Sequence, residues 1–273
     1  MSAGESAPED RMEMPRKTRR DKGKRQLTPR DLWVLPWIAS QYAIRFDQLQ
    51  ELLSREPGQR NKKVTGPGGI TDSAVDQVVE RWEEDPAFVV YERPHRHTPG
   101  WIWLTPYGER ALDLHYKRHL LSERTLTHKY YINQVRLDYE RRHPEYRWVS
   151  ERDLQVGLPR RKRGERVGHI SDGEIWLPTG KPIAVEVELY SKPDEVIDRY
   201  LNEMLAGADA PYRAVLYFVT GSKPRYAQAW RDVEKARVRL AEGLQLRMQI
   251  IPLEKVGTDD TATPESTITT EEK

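Results

Sequence analysis

The sequence predicts a two-domain protein of the α/β class: a helical N-terminal domain that ends in a β-hairpin, then a domain built on a mixed sheet. Its 273 residues are enough for two domains of modest size. Apolar residues recur at helical spacing up to residue 84, and the pattern changes to that of strands at residue 88. We expect domains over residues 27–118 and 119–255, with a disordered basic arm over 1–26 and a disordered tail over 256–273.

Three helices are predicted in the N-terminal domain. The first begins after Thr28, a typical N-cap residue, with Pro29 at its first position. The second covers residues 45–54, and the third covers residues 73–84. The side chains expected to face the core are Leu32, Leu35, Ile38, Ala39, Phe46, Leu49, Leu52, Leu53, Val75, Val78, Val79 and Trp82. The tryptophans of this region are also expected in its core rather than as a platform for stacked bases: Trp33, Trp37, Trp82, Trp101 and Trp103.

A hairpin follows, with strands over 88–91 and 101–105, and a further helix is predicted over 106–116. Three helices and a two-stranded hairpin are the order of a winged helix-turn-helix, whose third helix usually enters the major groove of DNA. This order predicts DNA binding through Lys62, Lys63, Gln77, Arg81, Arg93 and Arg96. Asp76 and Glu80 lie on the same outward face, which favours an alternative in which the winged helix makes protein contacts.

The C-terminal domain is predicted to begin with a long helix, over 125–142, that ends before Pro144. The elements expected after it are strands over 147–151, 169–177 and 183–189, a helix over 194–205, a strand over 214–219, a helix over 226–240 and a strand over 248–251. This α-β-β-β-α-β-α-β order indicates a mixed sheet flanked by helices.

Acidic residues on two neighbouring strands suggest chemistry. Because successive strand residues alternate in direction, Glu186 and Glu188 point to one face of the sheet. Adjacent carboxylates repel each other, and a hard divalent cation such as Mg²⁺ or Mn²⁺ would relieve the repulsion. We expect Asp172 to complete a metal site, and Lys192 to stabilise negative charge on a scissile phosphate as a fourth catalytic residue. The alternative is a solvated polar face of the sheet.

Three further features bear on this site. The run Arg160, Arg161, Lys162 and Arg163 precedes the strand of Asp172 and is expected to contact the DNA backbone, with a solvated loop as the alternative. His128 is expected to make a core or capping hydrogen bond, with a position facing the site as the alternative. Glu151, at the end of the first strand, is either a fourth acidic group of the site or a surface charge.

Asp172-Gly173 followed by Glu186-Val187-Glu188 resembles the PD-(D/E)xK nuclease superfamily. The resemblance implies a restriction-endonuclease-like core: a helix, three strands, a helix and a fourth strand. Two positions depart from its pattern, since Ser171 stands where the superfamily often has Pro and Glu188 where it usually has Lys. Lys192 would then take the place of the motif lysine.

Residues 27–255 also resemble the replication-relaxation family of bacterial mobile elements, which pairs a winged helix with such a core. The resemblance rests on Ala184-Val185-Glu186-Val187-Glu188-Leu189, on Lys192, Arg199 and Tyr200 after it, and on the earlier segments Leu126-Thr127-His128 and Ser150-Glu151-Arg152. It implies a role in plasmid replication, mobilisation or their control. The implied partners are DNA and other replication or mobilisation proteins.

Composition narrows the class of protein. The chain has no cysteine, which excludes disulfide scaffolds and Cys-ligated zinc. The first 30 residues contain no apolar signal segment, and no run of about 18 apolar residues occurs, so we expect a cytoplasmic protein without a membrane span. The net charge of +2 is too small to argue for nucleic-acid binding by itself. Three hypotheses remain: a metal-dependent endonuclease, a non-catalytic DNA-binding regulator, and a protein that makes only protein contacts.

Overall fold

The N-terminal unit is a helical cluster closed by a small antiparallel sheet. The computed structural model describes residues 27–55, 69–94, 96–117, 122–158, 168–220 and 227–257. The elements of this unit are α1 (Pro29–Ser40), β1 (Ile44–Arg45), α2 (Phe46–Ser54), α3 (Asp72–Glu83), β2 (Val89–Glu92), β3 (Trp101–Leu104) and α4 (Pro106–Ala111). Its strands are arranged β1-β3-β2. The two-residue β1, which pairs with β3, was not predicted because two residues carry no periodicity.

Helix α1 begins as predicted and buries Leu35, Ile38 and Ala39 as expected, but two of its apolar side chains face solvent. The Thr28 hydroxyl accepts a hydrogen bond from the Asp31 amide, and the Asp31 carboxylate accepts one from the Thr28 amide. Asp31 is fully buried and lies on the inward face with Leu35 and Ile38. The prediction that Leu32 and Trp33 face the core is wrong, because this face is centred on Asp31 and leaves them 55% and 42% exposed.

The remaining helices of this unit largely follow the sequence pattern. Helix α3 buries Val75, Val78, Val79 and Trp82 as predicted. Helix α4 is shorter than predicted: it ends at Ala111, and Asp113 adopts a left-handed conformation with φ of 55° that does not continue a helix.

The C-terminal unit is a five-stranded mixed sheet with helices on both faces. Its elements are α5 (Glu123–Arg142), β4 (Arg147–Ser150), α6 (Glu151–Gly157), β5 (Gly173–Trp176), β6 (Ile183–Glu188), α7 (Asp194–Leu205), β7 (Ala214–Val219), α8 (Ala227–Arg239), α9 (Glu242–Gln245), β8 (Met248–Pro252) and a 3₁₀ turn (Leu253–Lys255). The strand order is β4-β5-β6-β7-β8. Strands β4, β5 and β6 pair antiparallel, whereas β6, β7 and β8 pair parallel. The predicted mixed α/β sheet is therefore confirmed.

The two faces of this sheet pack against different helices. One face carries Val185 and Val187 and packs with residues of α5 such as Ile132 and Val135. The other face carries Ala184 and packs with residues of α7 and α8. Side chains of β6 that alternate with Val185 and Val187 therefore point toward α7 and α8.

Two elements before the acidic strands differ from the prediction. Glu151 does not end a strand but begins α6, where the Ser150 hydroxyl accepts a hydrogen bond from the Asp153 amide and forms a capping box. The segment 169–172 was predicted to be strand, but β5 begins only at Gly173. Asp172 therefore lies just before the strand.

Helix α5 belongs to both units. Leu137 is fully buried in the core cluster of the N-terminal unit, whereas Ile132 and Val135 lie in the core of the sheet. The Asn133 side-chain amide donates to the Ala43 carbonyl at 2.9 Å. One helix thus closes two hydrophobic cores. The predicted boundary between residues 118 and 119 lies outside the described residues.

A buried arginine adds a second junction between the units. Arg152, on α6, is 5% exposed and donates to the carbonyls of Ala39 and Lys117. Its guanidinium lies 4.6 Å from the ring centre of Tyr42 and 4.3 Å from that of Tyr116.

Among the helices that the structure describes, none is long and apolar enough to cross a membrane.

Candidate functional site

Two buried glutamates lie on the α7 side of β6. Glu186 is 4% exposed and Glu188 is 5% exposed, and both alternate with Val185 and Val187 of the opposite face. The alternative of a solvated polar face is therefore wrong. Burying carboxylates is costly unless they are hydrogen-bonded or paired with cations, so their partners decide what the site does.

Asp172 is held between β6 and α5. Its Oδ2 atom accepts a hydrogen bond from the Val187 amide at 2.9 Å and lies 3.3 Å from His128 Nε2. Burial would raise the pKa of Asp172, but the charges of His128 and Lys129 and the Val187 amide outweigh burial and hold it well below its usual range. Burial likewise opposes protonation of His128, yet Asp172 raises the pKa of the imidazole.

His128 faces the site and also makes the expected kind of backbone contact. Its Nε2 atom lies 2.8 Å from the Val187 carbonyl oxygen as well as near Asp172. A protonated Nε2 atom would donate to both acceptors. The two roles left open by the sequence are therefore combined in one nitrogen, which fixes Asp172 relative to β6.

Glu186 is paired with a histidine that the sequence analysis did not single out. His169 Nε2 lies 2.6 Å from Glu186 Oε1, and the imidazole stacks on the Tyr200 ring with centroids 3.8 Å apart. Burial, together with the charge of Asp172, raises the pKa of Glu186 to about 7 even though His169 and Lys192 lower it. Glu186 therefore has a raised pKa although its carboxyl group contacts a histidine.

Lys192 reaches the same region from the segment between β6 and α7. Its Nζ atom contacts Glu188 Oε2. Burial would lower the pKa of Lys192, but Glu188, Glu186 and Asp172 together raise it. This lysine therefore lies in the electrostatic field of all three carboxylates that the sequence singled out.

We call these six residues the acidic centre: Asp172, Glu186 and Glu188 with their partners His128, His169 and Lys192. Each carboxylate has a cationic partner of its own. Within the part of the chain that the structure describes, no three His, Asp or Glu side chains surround a common point as metal ligands would. The expected shared ligation of one ion by the three carboxylates is not the arrangement seen in this conformation.

Glu151 lies outside the acidic centre and is linked to it through Lys129. It accepts from Lys129 Nζ at 2.7 Å, and Lys129 is 5% exposed. Since Lys129 lowers the pKa of Asp172, Glu151 neutralises a lysine that acts on the acidic centre and does not itself join the three carboxylates.

The predicted DNA contacts have different fates in the structure. Gln77 on α3 and Arg96 after β2 are exposed. Arg93 is exposed and donates to the Tyr91 hydroxyl at 2.9 Å. Arg81 instead donates to buried Asp31 at 2.5 Å, so this side chain is already engaged within the fold. The other predicted contacts lie outside the described residues: Lys62, Lys63, Arg160, Arg161, Lys162 and Arg163.

Comparison of the chain with protein-family profiles, curated proteins and solved structures finds no match. The description of the site therefore rests on its geometry alone. It is a buried acidic centre between a mixed sheet and its flanking helices, with three carboxylates matched to two histidines and one lysine. Its carboxylate oxygens are of the type that hard divalent cations prefer as ligands.

Proposed function

We propose that the chain is a DNA-binding protein of plasmid or mobile-element replication or mobilisation, with a Mg²⁺- or Mn²⁺-dependent endonuclease-like domain. The observation that carries this proposal is that Asp172, just before β5, and the buried Glu186 and Glu188 of β6 all lie in the field of one lysine, Lys192. Charge buried in this way is costly to stability and is concentrated at functional sites.

The order of elements supports the same proposal. Helix α5, strands β4, β5 and β6, helix α7 and strand β7 follow the order that the superfamily resemblance implies, with the seven-residue α6 placed between the first two strands. Helices α1, α2 and α3 followed by β2 and β3 agree with the order of a winged helix.

The donor atoms of the acidic centre fit a hard divalent cation. Asp172, Glu186 and Glu188 would hold it, because carboxylate oxygens are the ligands that Mg²⁺ and Mn²⁺ prefer. The raised pKa of Glu186 shows that its charge lacks full compensation in the protein alone. When bound, such an ion supplies Lewis-acid chemistry and lowers the pKa of a water molecule.

The chain's own side chains have separate tasks in this proposal. His128 and the Val187 amide orient Asp172. His169 Nε2, 2.6 Å from Glu186 Oε1, fixes the orientation of this carboxyl group. Lys192 Nζ provides positive charge to stabilise the negative charge of a phosphodiester.

DNA binding in the proposal uses surfaces of both units. Gln77, Arg93 and Arg96 are exposed around α3 and the hairpin, where a winged helix meets DNA. The basic run 160–163 precedes the strand that follows Asp172, so it is close in sequence to the acidic centre. Phosphate contacts of this kind make affinity fall steeply as salt rises.

The experiment that tests the enzyme is a calorimetric Mn²⁺ titration with a plasmid-nicking assay on the same samples. Wild type is compared with Glu186→Ala and, as a matched control, with Glu242→Ala, which removes an exposed glutamate of α9. We expect binding and nicking in wild type and control, and loss of both in Glu186→Ala. If the wild type showed neither Mn²⁺ binding nor nicking, the proposed enzyme activity would be refuted.

A second candidate function is a non-catalytic regulator that uses the same fold to dock on DNA or protein. The observation that favours it is that each carboxylate already has a cationic partner: His128, His169 or Lys192. This candidate predicts salt-dependent DNA binding without nicking, and binding that Glu186→Ala leaves intact. A chain that makes only protein contacts would show no salt-dependent DNA affinity.

A further inference from the structure

Another buried carboxylate lies on α8, outside the acidic centre. Asp232 is 5% exposed and belongs to a helix whose neighbouring positions Ala229, Val233 and Ala236 are packed in the core. A carboxylate in such surroundings requires hydrogen-bond donors. Its Oδ2 atom accepts from the Ser191 hydroxyl at 2.6 Å, and its Oδ1 atom accepts from the Gln228 amide.

Ser191 is the residue immediately before Lys192. It lies in the short segment 189–193 that connects β6 to α7, and its hydroxyl ties this segment to α8. The segment begins at Leu189, which is buried in the core, and ends at Pro193, whose carbonyl accepts the Val196 amide. The Ser191–Asp232 hydrogen bond holds the exposed middle of the segment.

The position of Lys192 depends on this segment. Its side chain is long and loses rotamer freedom when it is held against Glu188. A hydrogen bond to a carboxylate is stronger than one to a neutral acceptor, so the Ser191–Asp232 bond favours one path of this exposed segment. Displacement of a reacting group by about 1 Å is enough to reduce a rate about 100-fold.

We propose that Asp232 is a positioning residue, which holds Lys192 against Glu188 by fixing Ser191. The kinetic consequence rests on the proposed endonuclease function, whereas the placement of Lys192 does not. Asp232 touches neither the three carboxylates nor a reacting phosphate in this assignment. It acts only through the backbone of the connecting segment.

The first test measures Lys192 in the full-length protein without metal or DNA. Reductive ¹³C-methylation keeps lysines charged and makes each visible by NMR, and Lys192→Arg identifies the Lys192 signal. We expect Asp232→Ala and Ser191→Ala each to move this signal toward the position of an exposed lysine. Asp232→Asn is expected to leave it in place, because its amide oxygen still accepts from Ser191 while the Gln228 amide turns over.

The second test is the nicking assay with rates and DNA affinities measured separately. Asp232→Ala is expected to lower kcat about 10- to 100-fold with KM unchanged within about twofold, and Asp232→Asn to restore most of the rate. The Ser191→Ala/Asp232→Ala double variant is expected to be no slower than Asp232→Ala, since both changes break one bond. Thermal unfolding identifies any variant that fails to fold.

The outcomes separate the two proposals. An unmoved Lys192 signal in folded Asp232→Ala would overturn the positioning role, whatever the activity. A wild type that nicks no DNA would end the endonuclease proposal, yet the NMR signal would still decide whether Asp232 positions Lys192. A rate loss that Asp232→Asn fails to restore would also contradict the role assigned to the hydrogen bond.

Discussion

Replacement of the buried Asp31 by Asn is expected to destabilise the N-terminal unit strongly, although the two side chains have almost the same volume. The Asp31 carboxylate is fully buried and accepts from Arg81 at 2.5 Å, from the Trp82 indole at 3.0 Å and from the Thr28 amide at 2.8 Å. Asn preserves the volume but loses the charge. Its amide group also brings a second donor toward Arg81 or Trp82.

The magnitude follows from these contacts. Each hydrogen bond to a charged group contributes about 1.5–3 kcal/mol, and breaking a buried ion pair costs about 3–5 kcal/mol. Arg81 is 29% exposed in its side chain, so water recovers part of its solvation once the partner is neutral. We therefore expect Asp31→Asn to lower the free energy of unfolding by about 3 kcal/mol at pH 7.

The loss also has a defined pH dependence. Burial raises the pKa of Asp31, but the hydrogen bonds from Arg81, Thr28 and Trp82 outweigh it and hold the pKa below its ordinary value of 3.8. A carboxyl whose pKa is lower in the folded state stabilises the fold above the unfolded-state pKa, and this contribution is lost as pH falls through the folded-state pKa. The difference between wild type and Asp31→Asn should be constant above about pH 5 and shrink below about pH 4.

Urea unfolding followed by circular dichroism, at pH 7 and at pH 3, measures both quantities. Asp76→Asn is the matched control, since Asp76 is exposed on α3 and its replacement should change stability by less than about 0.5 kcal/mol. A loss below about 1 kcal/mol for Asp31→Asn at pH 7, or a loss that grows toward pH 3, would refute this account of the buried pair.

Three other perturbations test the junction, the sheet and the acidic centre. Arg152→Ala should lower stability by about 3–5 kcal/mol and broaden or split the calorimetric transition, because it removes a buried cation that joins the units; an unchanged single transition would contradict this. Gly173→Ala should lower the melting temperature by several degrees, since an added Cβ would lie 2.4 Å from the Trp148 ring; an unchanged melting temperature would mean that the ring has room to move. Glu186→Gln should stabilise the metal-free protein at pH 7.5 by up to about 3 kcal/mol, because a pKa raised from 4.5 to about 7 gives a contribution that is present below pH 4.5 and lost as pH rises to 7. Urea unfolding of wild type and variant at pH 7.5 measures the gain in stability. A loss of stability at pH 7.5 would show that the His169 contact outweighs burial.

Strong periodicity made parts of the fold predictable to the residue. Helix α7 and strand β7 have the predicted bounds, because one has a clear amphipathic pattern and the other is a continuous apolar run between polar segments. Helix α6 was missed although Ser150 and Asp153 carry the signature of a capping box, because the seven-residue helix lacks an apolar stripe long enough to register.

Two residues of α1, Leu32 and Trp33, were wrongly assigned to the core for a different reason. The centre of the inward face is a carboxylate, and a buried Asp is unexpected until its partner Arg81 is brought to it by the fold. That partner is 50 residues away in sequence. Leu32 was therefore counted as core from its helical spacing, and Trp33 from its hydrophobicity.

The acidic centre was half predictable. Alternation along β6 places Glu186 and Glu188 on one face, and the short segment after it brings Lys192 back. His169 carried no signal, because its approach to Glu186 depends on where β5 starts and on the stacking of its ring against Tyr200. Pairing across elements of this kind is set by tertiary structure and not by sequence spacing.

Helix α5 contributes side chains to two hydrophobic cores, so the two cores cannot form independently of each other during synthesis. Domains generally fold as units as they leave the ribosome, N-terminal first. Here the N-terminal core, which includes residues from Val34 onward, is complete only when Leu137 has emerged. The same helix then offers Ile132 and Val135 to the sheet, where they pack in one cluster with Val185 and Val187 of β6. Until β6 has been made, this apolar face of α5 remains uncovered, and this interval is when the nascent chain most needs protection from aggregation.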